Sequence, residues 1–254
     1  MCKKLFVLVS FVLLLSLAGP ASADLLAHYK LDGDFTDSAN GYDGTIMGDP
    51  AFVEPGIVGT HHLEPTWDVT PWNDGFNCGT FDPTAGGNQF TVAMWVVWGG
   101  DYGSTNTQTL VSKRDSWSES GMMFDIQWHP GDGGRLEIIN PVSWVNFHTN
   151  LPIGTPTHVA VTYDGTDVRL YLDAELQYTY AFTMGSGRDS NLCVSQLQNG
   201  AGFFFNGWID DVGFFSTALD QGQIAAIMPG IPEPATIVLL GLGGVALFRR
   251  KRNA

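Results

Sequence analysis

The sequence predicts an all-β protein, a two-sheet antiparallel sandwich of the jelly-roll type. Strand-like runs recur at short spacing along the chain, and segments with a helical period are scarce. The linkers between the runs contain Gly, Asp, Asn and Pro, the residues that turns require. The stretch from residue 24 to 228 is long enough to bury the core of one such domain.

The strand runs can be read in order from the amino-acid pattern. The first is LLAHYKL at 25–31, and the richest in β-branched and aromatic residues is QFTVAMWVVW at 89–98. The others cover 109–114, 122–128, 135–140 and 205–215. Residues 216–228 predict a short helix with Ser216 or Thr217 as its cap.

The clearest local signal is THVAVTYDGTDVRLYLDAELQYTYAF at 157–182. Apolar and polar residues alternate on both sides of Asp164-Gly165, a turn pair in which glycine tolerates positive φ. Strict alternation places one face of each strand in a core and the other outside. The pattern predicts a hairpin, followed by a second turn around Asp173-Ala174 and a third strand.

Both ends of the chain carry segments that are unlike the body. Residues 1–23 have a basic start, an apolar middle and an Ala-Ser-Ala end, which predicts a secretory signal peptide and a mature chain from Asp24. Residues 229–254 contain an apolar stretch at 235–248 and basic residues at 249–252. As a helix the apolar stretch would be about 21 Å long, short for a hydrocarbon core of about 30 Å.

The body between these segments is strongly acidic. It keeps six basic and twenty-five acidic residues, a net charge of −19. Such a surface repels phosphate backbones, so nucleic acid is excluded as a partner. The same surface is compatible with cations, above all with Ca²⁺, which prefers carboxylate and carbonyl oxygens.

Two cysteines remain in the body, Cys78 and Cys193. In an exported chain they are candidates for one disulfide. Two buried thiols are the alternative, and the sequence does not fix the distance that would decide between them.

Five motifs in the same order resemble the LamG-like domain of the concanavalin A-like lectin/glucanase superfamily. They are LLAHYKLDGDFTDSANGYDG, FTVAMWV, TLVSK, THVAVTYDGTDVRLYLDAEL and FNGWIDDVGFFSTAL, and the resemblance covers nearly all of 24–228. It implies a jelly roll that serves for binding or adhesion, often to carbohydrate. It also implies a structural Ca²⁺ near the meeting point of the first and last strands.

The residues for this calcium follow from the resemblance and from ligand chemistry. Asp37 and Asn40 lie in an oxygen-rich loop, and Asp210 or Asp211 would join them from the last strand. Because neighbouring strand residues point to opposite faces, only one of these two aspartates can be the main ligand. Turn-forming, solvated carboxylates are the alternative.

No catalytic residue is assigned from the sequence. The glucanase branch of the superfamily carries its carboxylates in a Glu-x-Asp-x-Glu run on one strand, and this chain has no such run. Trp95 and Trp208 fit buried strand positions. The other tryptophans, some of which could form a sugar platform, lie in or beside loops at 67, 72, 98, 117, 128 and 144.

The C-terminal segment resembles the PEP-CTERM sorting signal, with Pro232, Glu233 and Pro234 as its motif. The resemblance implies processing by an exosortase of a Gram-negative bacterium after transient arrest in the inner membrane. A permanent one-pass anchor is the alternative. In either case the basic end keeps the C-terminus cytoplasmic and the body outside.

Taken together, the sequence predicts an exported protein of the cell surface or extracellular matrix that binds polysaccharide and carries a structural calcium. The alternatives are a glycoside hydrolase or lyase on the same fold, and a purely structural matrix protein.

Overall fold

The computed structural model describes residues 25–65, 74–85, 87–100, 107–131, 134–198 and 203–232. The predicted signal peptide, Trp67, Trp72, Glu233, Pro234 and the predicted C-terminal helix lie outside these residues. In the part that is described, no helix is both long and apolar enough to cross a membrane.

The described residues form an antiparallel sandwich of two sheets. The strands are β1 (Leu25–Tyr29), β2 (Thr45–Met47), β3 (Ala51–Val53), β4 (His62–Glu64), β5 (Gly75–Asn77), β6 (Phe90–Trp98), β7 (Gln108–Arg114), β8 (Met122–His129), β9 (Arg135–Asn140), β10 (Ser143–Phe147), β11 (Pro156–Tyr163), β12 (Asp167–Leu172), β13 (Glu175–Ala181), β14 (Leu192–Val194) and β15 (Gly207–Phe215), and the helix α1 is Gln221–Ile227.

Sheet A has the order β13-β12-β11-β6-β15-β4-β3, and sheet B has the order β10-β9-β8-β7-β14-β5-β2. The first strand, β1, pairs with the second half of β15, where Tyr29 lies opposite Val212. The predicted all-β sandwich is therefore confirmed, and the first and last strands of the domain are neighbours.

The predicted hairpin is present as β11, β12 and β13, with Val161 opposite Leu170. Its second turn places Asp173 and Ala174 at φ values of 50° and 63°, although neither residue is a glycine. Positive φ at both central residues is the geometry of a type I′ turn, whose twist matches that of the strands.

One apolar core fills the space between the sheets. Phe90 of sheet A stacks on Phe124 of sheet B with ring centroids 4.7 Å apart, and Trp128 is fully buried in the same core cluster. Buried aromatic rings of this size contribute most of the packing energy that holds two sheets together.

The helix covers the outer face of sheet A. Ile224 and Ile227 pack over the opposed alanines Ala93 and Ala160, whose small side chains leave room for the helix. The helix begins later than the sequence predicts, because Asp220 forms a capping box with Gln223. Neither Ser216 nor Thr217 is its cap.

Candidate functional site

The candidate site is a shallow cleft on the outer face of sheet B. Along β8, Phe124, Ile126 and Trp128 point into the core, so the alternate residues Asp125, Gln127 and His129 face outward. Neighbouring strands add outward residues at the same level, because β7, β8, β9 and β10 are consecutive in the sheet. The cleft has a volume of about 240 Å³.

Exposed aromatic rings line this cleft. The exposed fractions are 55% for Trp117, 63% for Trp144 and 47% for Phe203. Trp117 lies in the loop after β7, and Trp144 is on β10. Large rings left in water beside a cleft are ready to stack on an apolar ligand face. A cleft below the usual 300–1,000 Å³ of enclosed small-molecule pockets suits a ligand that lies across it.

Glu137 on β9 organises one half of the cleft floor. Its Oε2 accepts a hydrogen bond of 2.9 Å from the indole nitrogen of Trp144, and its Oε1 lies 2.6 Å from Nε2 of His129. The carboxylate is only 1% exposed. Glu137 therefore fixes the orientation of the Trp144 ring, so the aromatic surface is pre-organised for a ligand.

Arg114 and Asp125 form an ion pair in the other half of the floor. One guanidinium nitrogen of Arg114 lies 2.9 Å from Oδ2 of Asp125, which also accepts a bond from Gln127. The guanidinium carbon lies 5.7 Å from the ring centroid of Trp117, within cation–π range. Burial raises the pKa of Asp125 to about 7, although the positive charge of Arg114 acts in the opposite direction.

This raised pKa predicts that Asp125 makes unfolding depend on pH. An unfolded Asp has a pKa of about 3.9, so between roughly pH 4 and 7 the folded state holds a proton that the unfolded state has lost. The contribution of Asp125 to stability should therefore fall as pH rises through this window, by about 1.4 kcal/mol per pH unit. Denaturant unfolding of Asp125→Asn should show a correspondingly flatter profile than the wild type. Parallel profiles for the two proteins would contradict the assignment.

Two buried acids thus lie at the cleft, Glu137 in its lining and Asp125 behind Arg114, and sequence reasoning missed this pair. Asp125 lies opposite Ile139 and Glu137 lies opposite Gln127, so the two acids are diagonal neighbours on one face. Each was visible in the sequence only as a single acid in its own strand. Both are at most 1% exposed and bonded to neighbouring side chains, so they serve to hold Trp144 and Arg114 in place.

The burial of the tryptophan side chains differs from the sequence prediction. Trp98 and Trp128, predicted beside loops, are buried in the core with ring centroids 5.1 Å apart. Trp95 and Trp208, predicted as core residues, are half-buried on sheet A, and Trp208 stacks on His62. Solvent exposure, rather than position near a loop, singles out Trp117 and Trp144.

Asp37, the first predicted calcium ligand, is instead an acceptor for backbone N–H groups. Its Oδ1 accepts bonds of 2.8 Å from the nitrogens of His28 and Ala39. Its Oδ2 accepts bonds of 3.0 and 2.9 Å from the nitrogens of Asn40 and Tyr42. The side-chain nitrogen of Asn40 donates to the carbonyls of residues 25 and 26. Both residues fasten their loop to β1.

Asp210 and Asp211 lie in a β-bulge of β15, where the register with β6 shifts. Oδ2 of Asp210 accepts bonds from the nitrogens of Ile57 and Val58. Burial raises the pKa of Asp210 to about 7 against the effect of these bonds. Oδ1 of Asp211 lies 2.6 Å from Nε2 of His28, so Asp37 and Asp211 both contact this histidine, whereas Asp210 bonds to a different loop.

These contacts do not fit the predicted calcium site. A calcium ion needs six to eight oxygen ligands, whereas the carboxylates of Asp37 and Asp210 already accept bonds from N–H donors. Among the described residues, no group of three or more His, Cys, Asp or Glu side chains could hold a metal ion. Structural calcium stays a prediction of the sequence, to which the described geometry adds no ligand set.

Cys78 and Cys193 are buried thiols in the structure and are not joined by a disulfide. Cys193 lies opposite Asn77 in the pairing of β14 with β5, so Cys78, one residue later, points to the other face of sheet B. Cys78 belongs to the core between the sheets, which agrees with this geometry. Burial raises its pKa.

Comparisons with known proteins agree with this architecture. The family model of the concanavalin A-like lectin/glucanases superfamily, of the laminin G type, matches residues 73–225. The model of the PEP-CTERM protein-sorting motif matches residues 230–252. No curated protein gave a significant match to the chain.

Solved structures with the same fold include sugar-binding domains. Domain 4 of AbnA, a GH43 extracellular arabinanase from Geobacillus stearothermophilus solved with arabinotriose, has a TM-score of 0.62 and 23% identity, and the match covers 80% of this chain and 98% of that one. The botulinum neurotoxin serotype D ligand-binding domain, solved with N-acetylneuraminic acid, has a TM-score of 0.55 and 13% identity, with 82% and 52% covered.

The type G neurotoxin receptor-binding domain gives a TM-score of 0.55 at 15% identity, with 80% of this chain and 50% of that one covered. The chain thus spans about half the length of the neurotoxin domains. At such low identities, the similarity to these solved structures shows only a shared fold. The family model covers more than half of the chain, and it therefore shows family membership. The chain belongs to the concanavalin A-like lectin/glucanase superfamily and ends in a PEP-CTERM protein-sorting motif.

Proposed function

We propose that this chain is an exported surface protein that binds carbohydrate in the cleft of sheet B. The observation that carries the proposal is the pair of exposed rings, Trp117 and Trp144, beside buried polar side chains. Sugars present flat C–H faces to aromatic rings and hydroxyl groups to polar neighbours, and this cleft offers both kinds of partner. Gln127 and His129 are two of the polar residues that line the cleft.

The comparisons support this proposal at the level of the fold. The AbnA domain was solved with arabinotriose and the neurotoxin domain with N-acetylneuraminic acid, so jelly rolls of this shape bind both a neutral and an acidic sugar. The cleft of this chain pairs Arg114 with Asp125 and His129 with Glu137. Because the guanidinium of Arg114 and the imidazole of His129 each already have an acidic neighbour, we expect the cleft to prefer a neutral glycan.

The sorting motif supports export and surface location. A PEP-CTERM motif implies recognition by an exosortase, so the domain would reach the surface after transient attachment to the membrane. Pro232 begins the motif directly after the folded domain. The acidic body would then face the extracellular polysaccharide that is its proposed ligand.

The test is a glycan array probed with the purified chain, once with Ca²⁺ and once with EDTA. We expect binding to neutral polysaccharides in both conditions, because the proposed sugar contacts are aromatic rings and polar side chains of the cleft. New reducing ends released from a bound polysaccharide would favour the hydrolase alternative. Absence of binding to every glycan would favour the purely structural matrix protein.

A further inference from the structure

We propose that the folded domain clamps the chain just before the sorting motif, and that exosortase can engage the motif only when this clamp opens. The proposal rests on the exosortase recognition proposed above. It concerns residues 228–231, which follow α1 and precede Pro232.

The first contact of the clamp is the burial of Ile231. This side chain is only 6% exposed and belongs to the cluster of Ile224, Ile227 and Phe215 over sheet A. A Cβ atom added at Gly213 would lie 2.3 Å from Cδ1 of Ile231, so the absence of a side chain at Gly213 makes room for it. Ile231, the residue before the motif, is thus packed like a residue of the core.

Hydrogen bonds from distant strands hold the same segment. The indole nitrogen of Trp95, on β6, donates to the carbonyl of Met228 at 3.0 Å. The nitrogen of Ile231 donates to Oδ2 of Asp211 at 3.2 Å. These donors and acceptors lie far apart in the sequence, so the segment is fastened only when sheet A is assembled.

Asp211 connects the clamp to the first strand. Its second carboxylate oxygen contacts His28 of β1, and both side chains are at most 4% exposed. Asp211 has a φ of 50°, in the left-handed region, which is uncommon for a residue other than glycine. Backbone strain of this kind is kept where the surrounding contacts require it. The bulge therefore places the Asp211 carboxylate between His28, near the start of the domain, and Ile231, near its end.

The clamp leaves an enzyme little room upstream of the motif. Pro232 directly follows the buried Ile231, so its Cα atom lies only about 3.8 Å from the Cα atom of a residue that is packed in the domain. Enzymes that read a peptide bind it as an extended segment through its backbone and alternate side chains. The residues just before Pro232 become available for such binding only after Ile231 leaves its site.

Trp95→Phe tests the clamp without changing the sequence near the motif. It removes the bond to Met228 and keeps an aromatic ring in place. In cells that contain the exosortase, pulse-chase labelling measures how fast the tail is lost, and hydrogen exchange on the purified full chain measures the protection of the Ile231 amide. We expect tail loss three- to tenfold faster than in the wild type, together with faster exchange of this amide.

Ile231→Ala is the second variant, in case Trp95→Phe does not fold, and it should also accelerate tail loss. Ile46→Ala, an exposed residue of β2 on the opposite sheet and outside the cleft, is the control and should leave the rate unchanged. Faster exchange with an unchanged or slower rate of tail loss overturns the clamp but leaves sorting intact. A wild-type chain that keeps its RRKRNA end in mass spectrometry rejects both the clamp and the exosortase processing on which it rests.

Discussion

Replacing Asp37 by alanine should lower the free energy of unfolding by about 3–5 kcal/mol, whether or not calcium is present. The substitution removes the acceptor for the nitrogens of His28, Ala39, Asn40 and Tyr42. Each buried donor that loses its partner costs about 1–3 kcal/mol, and those that reach water cost less. Denaturant unfolding in Ca²⁺ and in EDTA measures the effect.

Asp34→Ala is the matched control, because Asp34 is an exposed acid of the same loop that accepts one exposed bond from Thr36. It should change stability by about 0.5 kcal/mol or less. If the calcium site predicted from the sequence is present, Asp37→Ala should instead destabilise the protein mainly in Ca²⁺. That outcome would show that the loop binds calcium after all.

Replacing Trp144 by alanine should weaken the binding of the preferred glycan about 30-fold, which corresponds to about 2 kcal/mol. The ring is 63% exposed, so its loss should have little effect on the unfolding midpoint. Isothermal titration calorimetry with an oligosaccharide identified on the glycan array measures the change.

Two further variants separate stacking from general effects of substitution. Tyr180→Ala removes an exposed ring of β13 that is not part of the cleft lining, and it should leave affinity unchanged. Glu137→Gln keeps the size of the side chain that positions Trp144 and removes its charge. It should weaken binding less than Trp144→Ala. Equal affinity of Trp144→Ala and the wild type would contradict the stacking role.

Local patterns in the sequence were sufficient to predict most of the fold. The alternation around Asp164-Gly165 predicts β11 and β12 because the side-chain period of a strand is two and both strands share one core. The sequence predicts too early a start for α1, because Ser216 and Thr217 are good caps in isolation. The structure uses the capping box of Asp220 and Gln223 instead.

The cleft was less predictable, because it depends on how strands pair. Asp125 and Glu137 come together through the register of β8 with β9, in which Gln127 lies opposite Glu137. Neither strand contains this information alone. The alternation in FDIQWH does indicate that Asp125 and Gln127 share a face, and this was the one available signal.

The calcium prediction depends on a distinction that the sequence does not make. Aspartates in a loop rich in Gly and Asn bind calcium in some proteins and accept turn N–H groups in others. The same side chains serve both purposes, so the sequence of 32–43 cannot separate them. In this structure the partners of Asp37 are N–H donors, which favours the turn-forming alternative.

The most direct test of the carbohydrate site is a crystal structure of the protein with an oligosaccharide that binds on the array. We expect a sugar ring stacked on Trp144 or Trp117, with hydroxyl groups in contact with Gln127 or His129. An oligosaccharide bound elsewhere on the domain, with the rings of sheet B left bare, would contradict it.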